Sequence, residues 1–403
     1  MNEKIQAGLR GKSARRVYFD NMASTPVDPR VVEAMIPHLR RTFGNPLNIH
    51  DWGQASLDAI EAAREKVAGL IGAAPTEIIF NSCGTESNNL AIRGLAKAYE
   101  KKGKHVITSA VEHFSVLYPL KQLEKEGFKI TYLPVDGNGT VDPNAVGEAI
   151  TPGTVLVTIT HASNEIGTIE PIKEIGQKVK EKGIAFHVDA VQTAGTMPLS
   201  VSDINADALT LSANQFYGPT GIAALYLKKG TRIVPFLLGG TQEEGRRAGT
   251  QNIPGIVGMG RAAELAKLEM GDRIGRLVPL RDRMLSGLKE KISDFFVTGH
   301  PTARLPNHVS GCVKFIEGES ISMFLNMEGI AVSTGSACAS KALKASHVLL
   351  AIGVSAENVH GSLVFSPGKE SVMEDVEYVL EKLLPIVERL RSMSPLYRKK
   401  EGG

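Results

Sequence analysis

The sequence predicts an α/β protein: a large domain with a mostly parallel sheet sandwiched by helices, joined to a smaller α+β domain. Three observations predict it. Short apolar runs alternate with helical segments from residue 78 to residue 227, as in sheets whose strands return through helices on both faces. The run Val155-Leu156-Val157-Thr158-Ile159-Thr160 is apolar and β-branched, which suits a strand buried on both sides. From about Pro254 this alternation stops and long amphipathic stretches take over. The expected division is 16–265 for the large domain and 266–403, with 1–15, for the small one.

Tyr18-Phe19-Asp20-Asn21-Met22-Ala23-Ser24-Thr25-Pro26 opens as a strand and a turn. Residues 31–43 have helical apolar spacing, stopped by Gly44-Asn45-Pro46. Residues 55–71 repeat apolar side chains at helical period up to Gly72. Ile78-Ile79-Phe80 predicts a strand, followed by a helix over 88–100. Val106-Ile107-Thr108 is the next strand, then a helix over 115–126 and a strand over 129–135. A helix over 172–181 and a strand over 184–188 come after the buried strand. Residues 208–211 are β-type, Gly218-Pro219 breaks the turn that follows, and 222–227 form another strand. The second part predicts long amphipathic helices over 256–270 and 276–295 and a helix over 320–327, set between the runs Val309-Ser310-Gly311-Cys312-Val313-Lys314-Phe315 and Ile330-Ala331-Val332.

The chain has 403 residues, 42% of them hydrophobic, enough for a substantial core. Its net charge is only +3, and the main basic run is the terminal Arg398-Lys399-Lys400. That run suits a solvated tail better than a nucleic-acid contact. No apolar run is long enough to span a bilayer, and Met1-Asn2-Glu3-Lys4 does not open a signal peptide. A cytoplasmic protein without a membrane or nucleic-acid partner is therefore expected. Three cysteines, Cys83, Cys312 and Cys338, do not make a disulfide framework in a chain this long. Cys83 and Cys312 stand in helix-start and apolar settings and are expected to be structural.

Several polar groups stand out. Gly84-Thr85-Glu86-Ser87 lies between a predicted strand and helix, where backbone amides and the helix dipole favour an anion. A lone Gly-Thr at that place is more often only a cap. Asp189 ends a predicted strand in His187-Val188-Asp189-Ala190-Val191-Gln192, where it could equally cap a turn. Cys338 lies in Ser333-Thr334-Gly335-Ser336-Ala337-Cys338-Ala339-Ser340, which has neither strand nor helix period. Small residues and nearby Lys341 and Lys344 suit an accessible, reactive thiol.

These motifs together resemble the cysteine desulfurases, in the class V aminotransferase group of pyridoxal-phosphate (PLP) enzymes. The resemblance runs from Tyr18 to Tyr397 and implies a fold-type I PLP transferase architecture. It implies that Gly84, Thr85 and Ser212 hold the cofactor phosphate, with Thr250 reaching across from a second subunit of a homodimer. Asp189 would face the pyridine nitrogen, Gln192 the ring hydroxyl, His113 the ring face, and Asn164 both cofactor and substrate. Cys338 matches the family residue that takes sulfur from the substrate as a persulfide.

Three positions depart from the family pattern. Its Ser-x-His-Lys-x-Tyr-Gly-Pro reads Ser212-Ala213-Asn214-Gln215-Phe216-Tyr217-Gly218-Pro219 here. Gln215 thus replaces the Schiff-base lysine, and a carboxamide forms no imine. Asn214 replaces the neighbouring histidine. In His360-Gly361-Ser362-Leu363-Val364-Phe365-Ser366 the family's substrate-carboxylate arginine is Val364. Losing such a bidentate partner costs about 2–5 kcal/mol at a partly buried site.

PLP is therefore expected to be held noncovalently at most. The preferred expectation is a diverged family member in sulfur transfer or iron–sulfur assembly. Cys338 would then be a persulfide carrier, or a ligand to a cluster shared with a scaffold or sulfur-acceptor protein. Two alternatives stay open: a lyase or transferase with noncovalent PLP and a substrate other than cysteine, and a PLP-free enzyme with Cys338 as nucleophile.

Overall fold

The computed structural model describes residues 15–335, 345–395 and 397. The strands are β1 (Val17–Phe19), β2 (Ile78–Asn81), β3 (His105–Ser109), β4 (Lys129–Leu133), β5 (Thr154–Thr160), β6 (Ala185–Asp189), β7 (Ala208–Ser212), β8 (Ala223–Leu227), β9 (Phe295–Val297), β10 (Val309–Val313), β11 (Ile330–Val332) and β12 (Ser362–Phe365). Seven of them form the main sheet in the order β2-β8-β7-β6-β5-β3-β4. All its pairings are parallel except those of β8, which runs antiparallel to both β2 and β7. The mostly parallel α/β fold is thus as the sequence predicts. A three-stranded antiparallel sheet, β12-β10-β9, and the parallel pair β1-β11 stand apart from it.

The helices are α1 (Pro29–Arg40), α2 (Asp51–Ile71), α3 (Gly84–Tyr99), α4 (Phe114–Lys125), α5 (Pro143–Ala149), α6 (Ile172–Glu181), α7 (Ile253–Lys291), α8 (Gly318–Met327), α9 (His347–Ala351), α10 (Ala356–Val359) and α11 (Met373–Met393). Their ends follow local chemistry. The Asp28 carboxylate caps α1 ahead of Pro29, and His50 Nδ1 accepts from the Gly53 amide at the start of α2. Gly72, at φ 70°, closes α2 in the left-handed conformation.

Two expectations are corrected here. The predicted helices 256–270 and 276–295 are one helix, α7, which stops at Lys291 and leaves Phe295 to a strand. Gly271 and Gly275 interrupt the apolar pattern without breaking the backbone. Each costs about 1 kcal/mol, and tertiary contacts offset it: Arg273 is buried, pairs with Glu269 at 2.7 Å, and lies over the Tyr217 ring. The second correction concerns Gly84-Thr85-Glu86-Ser87, which forms the first turn of α3 rather than a loop before it.

Strands β3, β5, β7 and β8 are buried along their whole length. One core, with Phe80, Ile159, Phe186 and Leu209, takes the first half of α7. Another, with Phe19, Ile321, Phe365 and Leu383, takes its second half through Leu277, Leu280, Met284 and Leu288. One helix therefore stiffens both packed regions. No helix among the described residues is long and apolar enough to cross a membrane.

Candidate functional site

The chemistry-bearing residues collect at the carboxyl ends of the parallel strands, where open α/β sheets leave a crevice. His113 follows β3, Asn164 and Glu165 follow β5, Asp189 ends β6, and Gln215 follows β7. Residues more than 100 positions apart thereby share one region.

Asp189 is buried and accepts from the Val191 amide at 3.0 Å and from Asn88 Nδ2 at 2.7 Å. Asn88 Nδ2 also donates to Ser115 Oγ at 2.8 Å. The Ser115 amide donates to His113 Nδ1 at 3.1 Å, so that nitrogen carries no proton. The Ser115 hydroxyl, 2.7 Å from the same nitrogen, then donates to it as well. A hydrogen-bonded chain thus joins the Asp189 carboxylate to the His113 ring. Burial raises the Asp189 carboxyl above its ordinary value, against the amide bonds from Val191 and Asn88. The sequence carried no signal for Asn88 or Ser115 as members of this chain.

At the other end, Gly84 and Thr85 open α3 behind its cap, Cys83. A Cβ at Gly84 would meet Val191 Cγ2 at 2.9 Å, so glycine lets this helix end approach the Asp189 turn. Glu86 binds Arg247 through Oε1 at 2.8 Å and Oε2 at 3.3 Å. This pair ties α3 to the segment carrying Thr250, which is itself exposed. Cys83 is exposed and Cys312 is buried, its thiol pushed up to about 12 by burial.

Gln215 holds a defined position. Its Nε2 donates to the carbonyls of Met22 and Ala23, at 3.2 Å each. Gln192 Nε2 donates to the same Met22 carbonyl at 3.2 Å, leaving its buried Oε1 without a partner. The Ser212 hydroxyl donates to Asn214 Oδ1 at 2.7 Å. Val364 is buried with Met22, Ala162 and Leu305 in an apolar cluster. Gln215, Asn214 and Val364 thus sit in satisfied local packing. Cys338 lies outside the described residues.

A cavity of about 80 Å³ opens beside Val364, lined also by Met22, His113, Phe114, Glu165 and His347. Asn164 lines it too. No lysine or arginine is among the described residues around it. Burial pushes the Glu165 carboxyl up to about 7, although Ser346 donates to it. Burial also lowers His347, whose Nε2 contacts the Glu112 carbonyl oxygen at 2.9 Å.

The residues suit PLP at two ends and not at its anchor. Asp189 stands where a pyridine nitrogen would need a carboxylate, and the α3 amino end with Gly84 and Thr85 suits a phosphate. The orphaned Gln192 Oε1 would gain a partner from a ring hydroxyl. Gln215 offers no amine.

Glu112, beside this site, gives a pH prediction. It is fully buried, accepting at Oε1 from Ser109 Oγ (2.7 Å) and the Thr160 amide (3.0 Å), while Oε2 has no partner. Burial pushes it up to about 8, against about 4.3 in an unfolded chain. Its protonated form therefore stabilises the fold fully below the lower value, and that contribution is lost as pH rises through the higher one. Glu112→Gln keeps the acceptor and removes the titration. Chemical unfolding should show the variant gaining on the parent between pH 5 and pH 8; equal pH slopes would contradict the account.

Known proteins resemble this chain along most of its length. The model of the family "Aminotransferase class-V" matches residues 17–379. The protein named cysteine desulfurase IscS of Dictyoglomus turgidum is 52% identical over 381 residues, covering 94% of this chain and 97% of its own. The protein of the same name from Methanosarcina thermophila is 52% identical over 382 residues, covering 95% and 94%. Among solved structures, a "NifS-like protein" superposes with a TM-score of 0.88 at 39% identity, covering 93% of this chain and 100% of that one. "SspA in complex with cysteine" does so with 0.79 at 36%, covering 88% and 100%.

Proposed function

We propose, for a chain that belongs to the class-V aminotransferase family and to the cysteine desulfurases within it, a role in sulfur transfer through Cys338 without ordinary PLP-dependent desulfuration of free cysteine. One observation carries this reading. At the family's anchor position stands Gln215, whose amide is engaged with the Met22 and Ala23 carbonyls. An amide nitrogen is not a nucleophile, so no covalent tether forms there. Val364 adds to this, since an apolar side chain in an apolar cluster gives a substrate carboxylate no partner.

PLP bound here would supply an electron sink in its pyridine ring. Asp189 would face that ring, kept in place by Asn88 and the Val191 amide, and Gly84 and Thr85 would hold the phosphate. His113 is kept in one tautomer by Ser115. None of these residues replaces the missing amine.

In the proposed transfer, the Cys338 thiolate attacks the outer sulfur of a partner's persulfide. A new S–S bond forms at Cys338 and the donor's S–S bond breaks. The donor leaves as a thiolate and takes up a proton, so there is no net oxidation. A cluster-ligand role for Cys338 is the alternative, with a partner supplying the remaining ligands. The partner is then a sulfur-acceptor or iron–sulfur scaffold protein. A second copy of the chain is the other proposed partner, supported by the exposure of Phe43, Leu47, Ile49, Trp52 and Leu238.

Mixing the protein with an active cysteine desulfurase and ³⁵S-labelled cysteine tests the transfer. Reductant-sensitive label is expected on the parent and absent from Cys338→Ser. An unlabelled parent, or equal labelling of both, would refute the carrier role.

A further inference from the structure

We propose that the cavity beside Val364 binds a small primary amine that carries no carboxylate. The inference rests on the reading of Val364 as the lost carboxylate clamp and goes further by naming the class of ligand. The cavity has two unlike walls. Met22, Val364 and the Phe114 ring form an apolar one, and Glu165, His113 and His347 a polar one. The Phe114 and His347 rings lie 5.0 Å apart, centroid to centroid, so the aromatic surface is continuous with the polar wall.

Charge decides which ligand suits this space. Among the described lining residues the one acidic group is Glu165, and none is a lysine or arginine. A carboxylate placed there would be desolvated beside another carboxyl, with no cation among the described lining residues to offset the cost. An ammonium would meet the Glu165 carboxyl and favour its ionised form, forming a charge-assisted hydrogen bond. A cavity of about 80 Å³ suits a ligand of a handful of non-hydrogen atoms. Its apolar wall calls for a short hydrocarbon body.

Ligand-observed NMR titration of the full chain tests this with two probes, n-propylamine and L-2-aminobutyrate, which differ by one carboxylate. Propylamine is expected to bind in the millimolar range, as suits so few atoms. L-2-aminobutyrate should bind at least about tenfold more weakly. Glu165→Gln keeps an acceptor for Ser346 and should weaken propylamine by about tenfold. Val364→Arg should reverse the preference; if that variant does not fold, Glu165→Gln still decides. Propylamine binding that is absent, unchanged in Glu165→Gln, or matched by L-2-aminobutyrate would overturn the proposal. These outcomes leave the sulfur-transfer reading standing, since that reading fails on the labelling of Cys338 instead.

Discussion

Sulfide release from L-cysteine, with PLP supplied, stays at background in Gln215→Lys and appears when Val364→Arg is added. The first substitution returns an amine but leaves the substrate carboxylate facing the cluster of Met22, Ala162, Leu305 and Val364. The second returns a bidentate cation, worth about 2–5 kcal/mol at a partly buried site. The double variant should therefore exceed Gln215→Lys by about thirtyfold to a few thousandfold. Adding Asn214→His should help further, because the Ser212 hydroxyl now donates to Asn214 and would be released toward a phosphate. Full turnover by Gln215→Lys alone would remove Val364 from the argument.

The second large effect is on stability. Arg64 and Glu243 pair at 2.8 Å with side chains 10% and 1% exposed. Arg64 also donates to the Ile78 carbonyl, and Glu243 accepts from the Phe80 amide at 3.0 Å. The pair fastens β2, at the sheet edge, to the segment that leads to Arg247 and Thr250. Glu243→Ala would leave the Phe80 amide unpaired and the Arg64 guanidinium with only the exposed Glu61 carboxylate and the Ile78 carbonyl, so a loss of about 3 kcal/mol, the low end for a broken buried pair, is expected in denaturant unfolding. Glu243→Gln should lose less, because it still accepts from Phe80. Replacing both partners, as in Arg64→Met with Glu243→Leu, should recover much of the loss. A loss under about 1 kcal/mol for Glu243→Ala, the range of exposed pairs, would show that the pair is not buried in solution.

Much of the fold was legible because strand and helix carry different periods. Residues 155–160 read as a buried strand and are one, β5. What escaped was set by distant contacts. Strand β12 has four residues and is defined by its pairing with β10. Helix α11 buries Val376, Val379, Leu380 and Leu383 at helical spacing, against a core built from distant parts of the chain. The single long α7 was hidden by two glycines that packing overrides.

The candidate site divides the same way. Its residues were picked by motif, and Asp189, Gln192, His113, Asn164 and Gln215 lie beyond the carboxyl ends of the parallel strands. Their connections were not legible. Nothing in the spacing of Asn88 and Asp189 tells that one orients the other. Nothing in the sequence marks Glu165, whose carboxyl is raised by burial and which accepts from Ser346. Substitutions at single positions were visible in the sequence, whereas the packing that accommodates them was not.

The central claim is that position 215, a glutamine, offers no amine with which to fix PLP. Intact-mass measurement of the protein as purified, after borohydride reduction and with no PLP added, tests it directly. The Gln215→Lys variant, prepared in the same way, is the comparison. The mass of the unmodified chain is the predicted result, and a PLP adduct on any side chain of the parent would contradict it.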